Sequence, residues 1–289
     1  MMPPLPALTS IEPEPQSVWQ FIAGVATAQT VRLASEEPLA IDVRHGPLAD
    51  RRRLRVATTL RTPGDDAALA VGWLLGEGIV RHRSEVVDVR TQTPRGRSVR
   101  VCVDLHPDCE FDPESHRRLT TMTSACGLCG KELLDALEFD SRLPQGLPRV
   151  KPEVLIELPR LALAKQELFH ATGGVHAAAL FNVNGELLAL AEDVGRHNAV
   201  DKVIGRCWLG GSWNPAGCIL FVSGRAGYEL VQKAARAGVP ILLAVGAPTS
   251  LSVALAERVG LSLLGFARDN RFTVYTGCER IASLPGGCN

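Results

Sequence analysis

Between about Val31 and Leu60, apolar and polar positions alternate, as in "LAIDV" and "LRVATTL". A period of two predicts strands. In "TPGDDAALAVGWLLGEGIV" the period changes. Asp65 or Asp66 can cap a helix whose apolar residues include Leu69, Trp73 and Leu74, and Gly76 and Gly78 end it. Strands are expected near Val86–Arg90 and Ser98–Leu105, and a helix over Lys131 to Phe139. "DSRLPQGLPRVKP" (Asp140–Pro152) holds three prolines and a glycine and reads as a linker. Beyond it, "AAALFNVNGELLALAED" is two apolar strands around Asn184-Gly185, a strong hairpin signal, and "RHNAVDKVIGRC" reads as a helix. Then "CILFV", "ILLAV" and "LSLLGF" alternate with the helical stretches "YELVQKAARAG" and "LSVALAERVG", and "FTVYT" closes the series. Strands apolar throughout, separated by helices, imply parallel pairing with both faces covered.

The expected organisation is a disordered tail (1–16), an N-terminal α+β domain (17–140), a linker (141–152) and a C-terminal α/β domain (153–289). The chain of 289 residues is 46% apolar, enough to build a full core. Lys plus Arg and Asp plus Glu are both 31, so a general polyanion-binding role, and with it nucleic acid, is disfavoured. The local run "RRRLR" (Arg51–Arg55) reads as a solvated strand edge. No apolar run approaches the roughly 20 residues of a membrane span. "MMPPLPALTSIEPEPQ" lacks the build of a secretory signal. The expectation is a cytoplasmic, reducing setting in which the eight cysteines are mostly free thiols.

The carboxyl ends of the C-terminal strands are where ligands bind in such sheets. Three turns are expected there: Ser223-Gly224-Arg225, Gly246 to Ser250, and Ala267 to Arg271. Two lead into helix N-termini, whose free N–H groups favour anions. Arg225, Arg268 and Arg271 add planar donors suited to phosphate. A second polar concentration comprises His176, Glu192, Asp193, Arg196, His197, Asn198, Asp201 and Lys202. Within it, Asp193 could cap the next helix, and His197 and Asp201 share a helical face.

"MTSACGLCGKELLDAL" (Met122–Leu137) carries Cys126 and Cys129 between glycines, before an expected helix. A structural zinc site needs four ligands, and only one C-x-x-C pair is present, although Cys102 and Cys109 could complete a set. Zinc deaminase chemistry needs H-x-E followed by P-C-x-x-C, and neither pattern occurs. A reactive thiol fits better. A helix N-terminus lowers a thiol from about 8.5 to about 7, which is about 2 kcal/mol of preference for the thiolate.

"EEPLAIDV", "RTPGDDAALAVGWLLGEGIV", "TSACGLCG", "TGGVHAAAL", "EDVGRHNAVDK", "SGRAGYELVQKAARAGVP" and "LLGFARDNRFTVYT" together resemble the FdhD family of sulfur carriers needed for active formate dehydrogenase. The resemblance spans about Glu36 to Thr276. It implies a cytidine deaminase-like C-terminal domain, with a mixed sheet and helices on both faces, beside a smaller α+β domain carrying the C-x-x-C loop. It further implies that a cysteine desulfurase loads a persulfide onto Cys126, with Cys129 as its partner. The sulfur would pass to a molybdenum or tungsten bis(pterin guanine dinucleotide) cofactor destined for the formate dehydrogenase catalytic subunit. The cofactor stretch maps to Phe266, Ala267, Arg268, Asp269, Asn270 and Arg271, together with Ser223, Gly224 and Arg225; a guanine nucleotide such as GDP could occupy it, and no structural zinc is expected. Members are cytoplasmic and generally homodimeric. Alternatives from the residues alone are a cofactor-insertion chaperone without sulfur transfer and a dithiol redox protein. One departure is visible: where the family commonly has a hydroxyl residue after "SGR", this chain has Ala226.

Overall fold

The alternation in "EPQSVWQFIAGVATAQTVRL" begins earlier than the expected strands and builds a two-stranded hairpin, β1 (Glu14–Ile22) and β2 (Val25–Leu33). Its two-residue turn, Ala23-Gly24, has both φ angles positive, as a hairpin matched to strand twist requires. Trp19, Phe21, Ile22 and Val25 are exposed on it. The computed structural model describes residues 12–93, 98–113, 143, 149–211 and 214–282. Cys126, Cys129 and the expected helix at 131–139 lie outside them.

β3 (Glu37–His45), β4 (Arg52–Arg61), α1 (Asp66–Gly76), β5 (Val86–Gln92) and β6 (Val99–Leu105) follow, and the strands form a sheet in the order β4-β3-β6-β5. Leu39, Ile41 and Val43 of β3 and Val101, Val103 and Leu105 of β6 pack with Leu69 and Leu74 of α1. The outer face is polar. Of the "RRRLR" run, Arg53 and Arg55 pair with Asp42, and Arg51 with Asp104.

The second half contains α2 (Pro152–Leu163), α3 (Glu167–Thr172), β7 (His176–Asn182), β8 (Leu187–Asp193) and α4 (Arg196–Leu209). β9 (Cys218–Val222), α5 (Tyr228–Arg236), β10 (Ile241–Ala244), α6 (Ser250–Val259), β11 (Ser262–Arg268) and β12 (Arg271–Thr276) complete it. The six strands are ordered β12-β11-β10-β9-β7-β8. Pairing is parallel only within β9-β10-β11; β7-β8 and β11-β12 are antiparallel hairpins, and β7 also pairs antiparallel with β9. Period-two alternation sends Leu220, Val222 and Leu242 to one face and Ile219, Phe221, Ile241 and Leu243 to the other. The second face is covered by Leu155, Leu158 and Ala162 of α2. Burying each of the two leucines contributes about 1.5–3 kcal/mol.

One hydrophobic cluster runs from the four-stranded sheet through α1 and α4 to the six-stranded sheet. The two helices cross at backbone distance. A methyl at Gly72 would lie 1.9 Å from the Asp201 carbonyl oxygen, and one at Gly205 would lie 1.9 Å from that of Ala68. A buried polar network surrounds this crossing. Lys202 pairs with Asp193 at 2.8 Å, their side chains 2% and 0% exposed, and Lys202 Nζ donates to the Thr62 carbonyl. Thr62 N–H donates to Asp193, while Asn198 Nδ2 donates to Asp193 and to the Leu60 carbonyl. Lys233 pairs with Asp201 at 2.7 Å; burial pushes the Asp201 carboxyl up to about 6 against the pull of Lys233.

Two substitutions at this crossing and two controls away from it have distinct expected stabilities. Gly205→Ala should cost about 3 kcal/mol or more, since backbone has to move. Gly217→Ala, with only the tip of Asn214 within 4 Å, should stay within about 0.5 kcal/mol. Lys202→Met should cost about 3–5 kcal/mol by stranding the buried Asp193. Arg52→Met should change stability by less than about 1 kcal/mol, because its pair with Asp50 is 72% and 61% exposed. Urea unfolding of the four variants checks all of them.

Candidate functional site

β9 is apolar to its last residue, so the chain reaches the carboxyl edge of the sheet at Ser223 before it can expose polar groups. Ser223 clasps the neighbouring strand: its N–H donates to the Ala177 carbonyl, and its Oγ accepts the Ala177 N–H, both at 2.9 Å. The next turn is stitched to it. Gly246 N–H donates to the Gly224 carbonyl at 2.9 Å, and Phe266 N–H donates to the Gly246 carbonyl at 3.2 Å. Ala226 and Pro248 form a further bridge. The three turns expected from the sequence are thus adjacent, joined by main-chain hydrogen bonds. Gly246 permits the approach, for a methyl there would lie 3.0 Å from Arg225 Cα.

The third turn is a hairpin. Asp269 and Asn270 have φ of 53° and 57° and connect Arg268 to Arg271, which are paired across β11 and β12. The expected turn at Ala267 to Arg271 is narrower than that: Ala267 lies within β11 and is buried in the core beneath α2. Phe266, also at positive φ and 37% exposed, projects at a register shift between Gly265 and Arg268. Arg225, Arg268 and Arg271 are exposed. Ala226 is 0% exposed, so a side chain at this position faces the core rather than the edge.

Of the two helix N-termini expected at this edge, α6 satisfies its own: Thr249 and Ser252 form a reciprocal capping box. α5 begins behind Gly227 with no side-chain cap.

The second polar concentration divides in two. Asp193, Asn198, Asp201 and Lys202 belong to the buried network between the halves. Asp193 accepts the Gly195 N–H but does not cap α4, whose N-cap Gly195 has no side-chain cap. Glu192 accepts from Leu168 N–H at 2.9 Å and Phe169 N–H at 2.7 Å, which holds the start of α3. His176, Arg196 and His197 remain partly exposed at the ligand edge. His197 Nε2 meets Glu229 Oε2 at 2.8 Å, and this hydrogen bond holds the Glu229 carboxyl below its usual range. Burial, Arg196 and His197 together hold the His176 imidazole below its usual range. Sequence reasoning missed Glu229, whose partner comes from a separate helix; its only signal is a carboxylate in the first turn after "SGRAG".

Among the described residues, no three metal-binding side chains gather. Cys102, Cys109, Cys207 and Cys218 are free thiols, and Cys278 is in a disulfide. Burial raises all four free thiols, so none is predisposed to ionise. No helix among the described residues is long and apolar enough to cross a membrane.

Comparison with known proteins gives consistent matches. The sulfur carrier protein FdhD of Streptomyces coelicolor is 43% identical over 277 residues, covering 93% of this chain and 95% of the relative. That of Thermoplasma volcanium is 40% identical over 254 residues, covering 86% and 89%. A crystal structure from Desulfotalea psychrophila, described as a formate dehydrogenase accessory protein, superposes with a TM-score of 0.72 at 28% identity, covering 93% of this chain and 99% of that one. The FdhD/NarQ family model matches residues 34–282, and on this ground the chain belongs to the FdhD/NarQ family.

Proposed function

We propose that this protein is a sulfur carrier for formate dehydrogenase, and that its substrate is the guanine dinucleotide form of the molybdenum or tungsten cofactor. The observation that carries the reading is the stitched edge. Three adjoining turns, the first bearing Arg225 and the third flanked by Arg268 and Arg271, lie beside an uncapped helix start, on a chain whose FdhD relatives are named for carrying sulfur. Guanidinium groups and free main-chain N–H donors are the chemistry that recognises a diphosphate.

The sulfur step falls to Cys126. Its thiolate attacks the outer sulfur of a cysteine desulfurase persulfide; a new S–S bond forms, the donor S–S bond breaks, and the donor leaves as a thiolate. Cys126 then carries S–SH, Cys129 supports or relays it, and the outer sulfur would pass to the metal of a cofactor held at the C-terminal edge, the S–S bond breaking, Cys126 returning to the thiolate and the reduced metal centre supplying the two electrons that turn sulfane sulfur into sulfide. The reading includes a cytidine deaminase-like C-terminal fold without its zinc chemistry, a cytoplasmic setting and a homodimer.

Intact-mass analysis after incubation with a cysteine desulfurase and cysteine should show a gain of about 32 Da per transferred sulfur. Cys126→Ala should abolish the gain. A Cys126→Ala variant that still gains this mass and activates formate dehydrogenase would refute the assignment to Cys126, and one that gains no mass yet still activates formate dehydrogenase would favour a cofactor-insertion chaperone. A reversible loss of about 2 Da without sulfur gain would identify a dithiol redox protein. Arg268→Ala and Arg271→Ala should each weaken GDP binding by about 1.5–3 kcal/mol, measured by calorimetry, without altering sulfur loading.

A further inference from the structure

The Ser223–Arg225 turn has a polar neighbour on β7. The Nδ1–Cε1 edge of His176 lies 3.7–3.8 Å from the point where a methyl on Gly224 would sit, and Arg196 Cδ lies 3.8 Å from the same point. Two side chains able to carry positive charge therefore border one position of the turn, which glycine leaves open. The acids facing them are engaged. Glu229, reaching in from α5, is paired with His197. Asp193, at the end of β8 opposite His176, is held by Lys202, Asn198 and Thr62. Exposed Arg225 continues the same turn.

We propose that a phosphate of the guanine nucleotide moiety seats over Gly224 between His176 and Arg196, and that His176 takes up one proton from solvent as it binds. The proposal rests on the reading that this edge holds a guanine dinucleotide. In the free protein burial, Arg196 and His197 hold the His176 imidazole below its usual range and so favour its neutral form, with Asp193 opposing them. An anion at contact distance reverses the balance of charge around the ring, and the imidazolium becomes the favoured form. The balance is simple: one proton moves from water or buffer to a ring nitrogen, and no other bond changes. Arg196 stays charged throughout. By reciprocity, ligand that favours protonation binds more tightly where protonation is easier.

The test is titration calorimetry with GDP on the full chain at pH 7.5, in buffers of different ionisation enthalpy, comparing wild type with His176→Gln. Subtracting one protein from the other cancels the titration of the nucleotide itself. Wild type should take up a proton that His176→Gln does not. Its affinity should fall by up to about tenfold per pH unit between pH 6.5 and 8, beyond the slope of the variant. Gly224→Ala is a second variant: its methyl makes ordinary contacts in the fold, so unfolding should be unchanged, yet it occupies the proposed seat and should abolish GDP binding. Equal proton uptake in both proteins, or wild-type affinity in folded Gly224→Ala, overturns this inference and leaves the cofactor-site reading standing. Failure of wild type to bind GDP at all overturns both.

Discussion

The contact on which the molecule depends is the crossing of α1 and α4 at Gly72 and Gly205. Two main chains meet there without intervening side chains, so the helices cannot be separated or rotated by a fraction of a turn. Everything else at the boundary presumes that distance. Lys202 reaches the Thr62 carbonyl and Asn198 reaches that of Leu60 because the helices are in backbone contact, and the Lys233–Asp201 pair between α5 and α4 lies against Gly76 of α1. The first half of the chain is thereby held against the sheet whose far edge forms the candidate site.

The charges buried at this boundary are an expensive way to fasten two halves, because each ion gives up its hydration. Their geometry compensates by filling most hydrogen-bonding positions: Asp193 alone accepts from Thr62, Gly195, Asn198 and Lys202. A displaced docking of the same surfaces would strand several of these groups at once. The network therefore contributes more to having one arrangement than to net stability, and it explains why a polar-rich motif such as "EDVGRHNAVDK" is largely interior.

Much of the second half was legible from the sequence because its signals are local. Asn184-Gly185 marks the hairpin, Gly185 indeed adopting positive φ, and each apolar run of "CILFV" type became a buried strand. The three ligand-edge turns followed from that order. What escaped was either weakly patterned or non-local. β1 and β2 alternate, but their apolar positions are exposed, so the pattern marks strands without a core to claim them. α2 carries Leu155, Leu158 and Ala162 at helical spacing, with Pro152 at its start, yet Pro159 in its interior obscures the period. The division of the polar cluster into a buried fastening and a partly exposed remnant depends on which residues meet Thr62 and Leu60, some 130 positions away. No local rule encodes that distance.

The ligand edge is joined through main-chain groups, Gly246 to Gly224 and Phe266 to Gly246. Peptide groups are common to every residue type, so the shape of this platform does not depend on the side chains that decorate its outer surface. Exposed positions such as Arg225, Arg268 and Arg271 can be exchanged to retune selectivity while the underlying array of donors keeps its spacing. Inward positions such as Ala226 and Ala267 lack that liberty, for they are packed into the interior.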